Sequence, residues 1–160
     1  MSPSRQAARE IFARHLPDGL PLAERDGRVG ESVARSDLID AGLARIYAPN
    51  GHGELATLTL RDGKRRAVLA SEMVSGAVIA NITRRAIERA CTREVETGAV
   101  GVGLSDILEA VDTEFDSAAR ALTPANCRRF IEGLPQDVDV VRVERVSSPT
   151  RRSYRYLSIA

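Results

Sequence analysis

The chain has 160 residues, 43% of them hydrophobic and 28% charged, which excludes a disordered or fibrous polymer and fits one ordinary domain. Lys+Arg 23 against Asp+Glu 22 gives a net charge of +1, so no overall field draws in nucleic acid or an anionic membrane. Two unpaired-looking cysteines, two histidines without ligand spacing, 4% aromatics and no tryptophan exclude a disulfide scaffold, a metal site and a base-stacking platform.

In chain order, residues 4–16 set Ala7, Ala8, Ile11, Phe12 and Leu16 at three- and four-residue steps among arginines, which predicts an amphipathic helix. Pro17-Asp18-Gly19 ends it, and the polar, glycine-bearing stretch 24–35 reads as a surface loop. Ser36 or Asp37 is expected to cap a second helix running to Tyr47, with Leu38, Ile39, Leu43 and Ile46 as its apolar stripe. Next, 54–60 alternates leucine with small or polar residues, Asp62-Gly63 supplies two positions tolerant of positive φ, and 66–69 returns. That is the pattern of a β-hairpin over 54–69.

Residues 75–97 carry the clearest helical period, with Val78, Ile79, Ile82, Ala86 and Ala90 on one face, and Gly98 is a natural C-cap. The glycine-rich 98–103 reads as a flexible linker, after which a fourth helix runs from Ser105 to about Ala121. Thr123-Pro124 opens a short helical turn holding Phe130 and Ile131, and the valines of 138–146 suit a strand. The expected fold class is mainly α within α+β, about four helices with an inserted hairpin and a C-terminal strand. The expected organisation is one domain over 1–146 and a flexible tail over 147–160. No apolar run approaches the roughly 20 residues that span a bilayer, and residues 1–6 lack a signal pattern, so a cytoplasmic location without a membrane partner is expected.

The chemistry is sparse. No GxxxxGK[ST] run is present to cradle phosphates, and no GxGxxG is completed, so nucleotide cleavage by this chain alone is not expected and no catalytic residue is assigned. Asp106, Glu109, Asp112 and Glu114 are expected on an exposed, solvated helix face rather than as acid and base partners. Arg84, Arg85, Arg89 and Arg93 form the one basic stretch that could meet nucleic acid, but Glu88 and Glu94 interrupt it.

The stretch Ser75-Gly76-Ala77-Val78-Ile79-Ala80-Asn81-Ile82-Thr83-Arg84-Arg85-Ala86 resembles the SGAxIxNIxxRA run of the actinobacterial proteasome-associated ATPases, the ring-forming family called ARC or Mpa. Thr97-Gly98 after the long helix, Leu108-Glu109-Ala110-Val111-Asp112-Thr113-Glu114-Phe115 in the next one, and the preceding hairpin with its Asp62-Gly63 fit the same pattern. By element order the whole chain to Val146 resembles the small helical lid that follows the nucleotide-binding core of AAA ATPases.

This resemblance implies a lid that covers nucleotide and couples its hydrolysis to substrate unfolding for proteasomal degradation. It implies ATP or ADP as a ligand only together with a core domain, and none for this chain alone. The partners implied are that AAA core, the neighbouring subunits of a hexameric ring and the 20S proteasome. Ser75, Gly76 and Ala77 correspond to the second-sensor turn, where a side chain of little bulk lets the lid approach adenosine; from the residues alone, Gly76 also serves as a plain capping residue. Ala8-Arg9-Glu10-Ile11-Phe12-Ala13-Arg14-His15 resembles the lid's RxxIxxxH start, which puts His15 beside the base or ribose, although Ala8 replaces the arginine.

Two departures stand out. The family's coiled coil, OB-like ring and ATPase core are not in this sequence, so the chain is expected to represent only a C-terminal part. The family docks on the proteasome through a Gly-Gln-Tyr-Leu terminus, whereas here Ser158-Ile159-Ala160 follow Tyr156-Leu157. The alternative from a different class is a stand-alone interaction module that pairs with a partner through the strand edges at 54–69 or 138–146.

Overall fold

In the computed structural model, residues 2–24, 30, 33–49 and 53–146 are described. Among them six helices and one three-stranded sheet divide between two compact units, one of residues 1–47 and 74–114, the other of 48–73 and 115–160.

The first unit is helical. Helix α1 (Arg5–His15) is capped by Ser4, whose hydroxyl accepts the Ala7 N–H at 3.2 Å, and buries Ala8 and Phe12 on the face set by their four-residue spacing. Helix α2 (Arg35–Ile46) packs on it and buries Leu38, Ile39, Leu43 and Ile46. The predicted cap is corrected here: the N-cap is Ala34, two residues before Ser36 and three before Asp37, with no side-chain cap bond, so Ser36 and Asp37 fall inside the first turn. Asp37 there places a negative charge in the first turn, which the positive end of the helix dipole favours.

Helix α4 (Gly76–Thr97) also packs against α1 and buries Ile79, Ile82, Ala86 and Ala90. Gly98, at φ 74°, closes it with its N–H donating to the Glu94 carbonyl at 2.8 Å, a left-handed cap that glycine adopts at no steric cost. Helix α5 (Leu104–Ala121) begins one residue before Ser105 and contributes buried Ile107, Ala110 and Val111 to this unit.

The second unit holds the sheet. Strands β1 (Glu54–Leu60) and β2 (Arg65–Leu69) form the expected hairpin, with Gly63 at φ 83° and the Asp62 carboxylate accepting the Lys64 N–H at 3.0 Å. Strand β3 (Val140–Arg145) pairs antiparallel with β1, giving the order β2-β1-β3. Thus β1, whose edge was a candidate for outside pairing, is central and already paired on both sides. Ala56, Leu58 and Leu60 alternate into a core with Val68, Leu122, Cys127, Ile131, Leu134 and Val140.

Two short helices complete this unit. Helix α6 (Cys127–Phe130) occupies the turn expected after Thr123-Pro124. Helix α3 (Ala70–Met73) has no counterpart in the sequence reading because four residues are too few to show a period. Glu72 accounts for it locally, accepting the Leu69 N–H at 2.9 Å and pairing with Arg66 at 2.6 Å. The tail proposed for 147–160 lies outside the described residues.

Candidate functional site at the start of helix α4

Ser75, Gly76 and Ala77 form one exposed turn. Ser75 is the N-cap in extended conformation, and its hydroxyl accepts the Val78 N–H at 3.3 Å. The N–H groups of Gly76 and Ala77, as the first of the helix, have no intrahelical acceptor, and they stand at the positive end of a 22-residue dipole. Around Gly76 there is room: a Cβ there would meet nothing nearer than Ile11 Cδ1, at 4.0 Å. Packing within the chain therefore does not require glycine at this position.

His15 is the last residue of α1 and is exposed. It lies one turn beyond Ile11, the residue against Gly76, on a helix that packs along α4. Sequence adjacency thus gathers Ser75, Gly76 and Ala77, and the α1–α4 packing brings the His15 helix to the same turn.

The turn suits a hydrogen-bond acceptor approached by small side chains, as on the sugar or base side of a nucleotide. It holds no lysine or arginine to offset phosphate charge. Its small side chains would admit the adenosine end of a nucleotide such as ATP or ADP, while the charge of the phosphates would have to be met by groups outside this turn.

On α5, opposite α4, the four carboxylates are all engaged: Glu109 is exposed as expected, whereas Asp106 is buried and Asp112 and Glu114 are half-buried, and for those three the expectation of a solvated face is corrected. Arg85 meets Glu114 at 2.9 Å, Arg89 meets Glu109, and Arg93 meets Asp106 at 2.5 Å, an antiparallel ladder between α4 and α5. Asp112 holds Arg45 of α2 with two bonds, at 2.8 and 3.0 Å. Asn81 adds an amide to Glu114 at 3.0 Å. The arginines considered for nucleic acid are thus largely committed to carboxylates in the same chain; Arg84 bonds Asn81 and lies 3.5 Å from Glu88.

The linker reading of 98–103 is also corrected. Gly101 has φ 104°, and a Cβ on it would fall 2.5 Å from the Leu22 carbonyl carbon, so two backbones cross there. Leu22 and Val102 form an isolated parallel bridge, the Val102 N–H donates to the Pro21 carbonyl at 2.9 Å, and the Ala23 N–H donates to the Val102 carbonyl at 2.9 Å. Arg93 donates to the Gly101 carbonyl at 2.5 Å, which ties the same segment to α4. The signal for this was present: three glycines two or three residues apart permit a close crossing as readily as a flexible link.

Six helices with a small antiparallel sheet, the longest helix opening on an exposed turn of small residues, make an α+β protein of the helical lid type. The chain belongs to the family described as ARC, AAA+ ATPase lid domain, matching it over residues 3–148. It is 36% identical over 115 residues to an "AAA ATPase forming ring-shaped complexes" of Kocuria rhizophila, covering 71% of this chain and 20% of that protein. It is 39% identical over 120 residues to a protein of the same description from Corynebacterium kroppenstedtii, covering 71% of this chain and 21% of that one. A "Proteasome-associated ATPase" of Acidimicrobium ferrooxidans is 33% identical over 117 residues, again 71% of this chain and 20% of the relative. The chain spans about a fifth of the length of these curated relatives. No helix among the described residues is long and apolar enough to cross a membrane.

Proposed function

We propose that this chain is the part of a ring-forming, proteasome-associated ATPase that closes over bound nucleotide and passes its hydrolysis on as movement. The observation that carries this reading is the exposed, uncrowded turn of Ser75, Gly76 and Ala77, open to an incoming group and lying beside the α1 helix that ends in His15. ATP or ADP would be held chiefly by a core domain, with Gly76 and Ala77 offering amide donors and His15 meeting the base or ribose.

A small unit hinged to a larger core is a two-state element, and contacts made only in the nucleotide-bound form would bias its angle. Coupling of that angle to substrate unfolding, neighbouring subunits of a hexameric ring, the 20S proteasome and a cytoplasmic setting belong to the same proposal. The names of the Kocuria and Acidimicrobium relatives support it. For the rival reading of a module that pairs through the strand edges at 54–69 or 138–146, β1 is covered on both sides by β2 and β3, so such pairing would have to use the outer edge of β2 or β3.

The test is Gly76→Phe in the ring formed with an ATPase core. A KM for ATP raised about tenfold or more, with thermal unfolding of the lid unchanged, is the expected result. An unchanged KM would remove the nucleotide role from this turn.

A further inference from the structure

Helices α1 and α2 are tied together at both ends. At one end the Tyr47 hydroxyl donates to the Pro3 carbonyl at 2.7 Å, and midway Arg9 pairs with Asp40. At the other, Arg35, the first residue of α2, turns its side chain onto the end of α1. Its Nε donates to the Leu16 carbonyl at 3.1 Å and Nη2 donates to the same oxygen at 2.6 Å and to the Ala13 carbonyl. Its Nη1 lies 3.5 Å from Asp18, just past the helix.

The last carbonyls of a helix have no intrahelical donor and carry its negative end, so a planar guanidinium bridging two of them fixes that turn in a way an ammonium does not. His15 lies between the two residues so held. Its own side chain is exposed. The direction in which it leaves α1 is set by the backbone of residues 13–16.

We propose that Arg35 is a positioning residue for the nucleotide-facing turn: by clamping the Ala13 and Leu16 carbonyls it holds the end of α1 so that His15 stands beside the α4 start. This rests on the reading of Ser75, Gly76, Ala77 and His15 as the nucleotide-facing group. Arg35 itself, bonded to backbone and partly buried, does not touch the ligand.

The experiment is amide NMR of this chain, isotope-labelled and joined to the ATPase core that supplies the rest of the nucleotide site, titrated with ADP, for wild type, Arg35→Met, Arg35→Lys and Gly76→Phe. In the wild type, shifts at both Gly76–Ala77 and His15 are expected. In Arg35→Met the His15 response is lost while the Gly76 and Ala77 responses persist, and Arg35→Lys restores little of it. That split separates positioning from general destabilisation, which weakens both responses together. Equal responses at His15 in wild type and Arg35→Met would overturn the positioning role and leave the nucleotide reading standing. Absence of any response at both places in the wild type, matched by indifference to Gly76→Phe, would overturn the nucleotide reading itself.

Discussion

Arg93 and Asp106 face each other across the α4–α5 connection with two bonds, at 2.5 and 2.8 Å, and Asp106 also accepts the Gly103 N–H at 2.8 Å. The carboxylate is almost fully buried, its side chain 2% exposed, whereas the arginine reaches water on one side. Its hydrogen bonds to Asp106 push the Arg93 guanidinium above its ordinary range.

Removing the cation strands a buried negative charge. Arg93→Met is therefore expected to destabilise the chain by about 3 kcal/mol, the range for breaking a buried pair. The double variant Arg93→Met with Asp106→Leu should recover part of that loss, because no lone carboxylate is left. Urea unfolding of the three proteins checks both statements. A loss under about 1 kcal/mol, as for a surface pair, would show that Asp106 is better solvated than its burial implies.

The long elements were legible in the sequence because period and punctuation agreed there. Ser75, the apolar series from Val78 to Ala90, and Gly98 bound α4 within a residue of the expected limits, and Asp62-Gly63 located the hairpin. What one chain position cannot show is its distant partner. The carboxylates of α5 look solvated by spacing alone, and only the arrangement of α4 opposite them turns Glu109 and Glu114 into ladder rungs. The clamp of Arg35 on α1 is hidden for the same reason, since its acceptors are backbone carbonyls that every residue carries. The α4 turn was legible through its SGA run; its openness to approach was not, because space around a Cβ is a three-dimensional quantity.

The crossing at Gly101 gives a sharper test of backbone space. An alanine there would have to adopt φ 104° and place its Cβ 2.5 to 2.7 Å from the Leu22 and Ala23 backbone. Gly98 also has positive φ, 74°, but has nothing within 4 Å of its Cβ position. Gly98→Ala should thus cost about 1 kcal/mol, the conformational term alone, and Gly101→Ala at least about 3 kcal/mol because the Leu22–Val102 bridge must open. Thermal unfolding of the two variants compares them directly, and equal losses would contradict the crossing.

A pH dependence follows from the hairpin turn. The Lys64 backbone N–H is the largest influence lowering the Asp62 carboxyl below its ordinary 3.8. A carboxylate whose folded value is depressed adds stability above its unfolded value and loses it as the pH falls through the folded one. Amide exchange at Lys64 should therefore be slower in wild type than in Asp62→Ala at neutral pH, with the difference vanishing as the pH falls through the lowered Asp62 value. A difference that persisted in acid would mean that the neutral side chain holds the turn as well as the charged one.

The two cysteines should separate cleanly by reactivity. Cys91 is exposed on α4, while Cys127 opens α6 with no exposed surface, packed among Leu58, Ile131 and Leu134, its thiol 3.4 Å from the Pro124 carbonyl. Thiol attack on a disulfide reagent needs access, and burial denies it to Cys127. With a chromogenic aromatic disulfide, one thiol per chain is expected to react in the mixing phase. The second should appear only at the rate at which the sheet unit opens, accelerating with urea in parallel with unfolding. Cys91→Ser should abolish the fast phase alone. Cys127→Ser, which puts a hydroxyl into that core, should leave the fast phase intact and lower stability by about 1 to 3 kcal/mol. Two thiols reacting together in the folded chain would mean that the core beneath the β1–β3 pair is open to solvent, and the account of this unit would have to change.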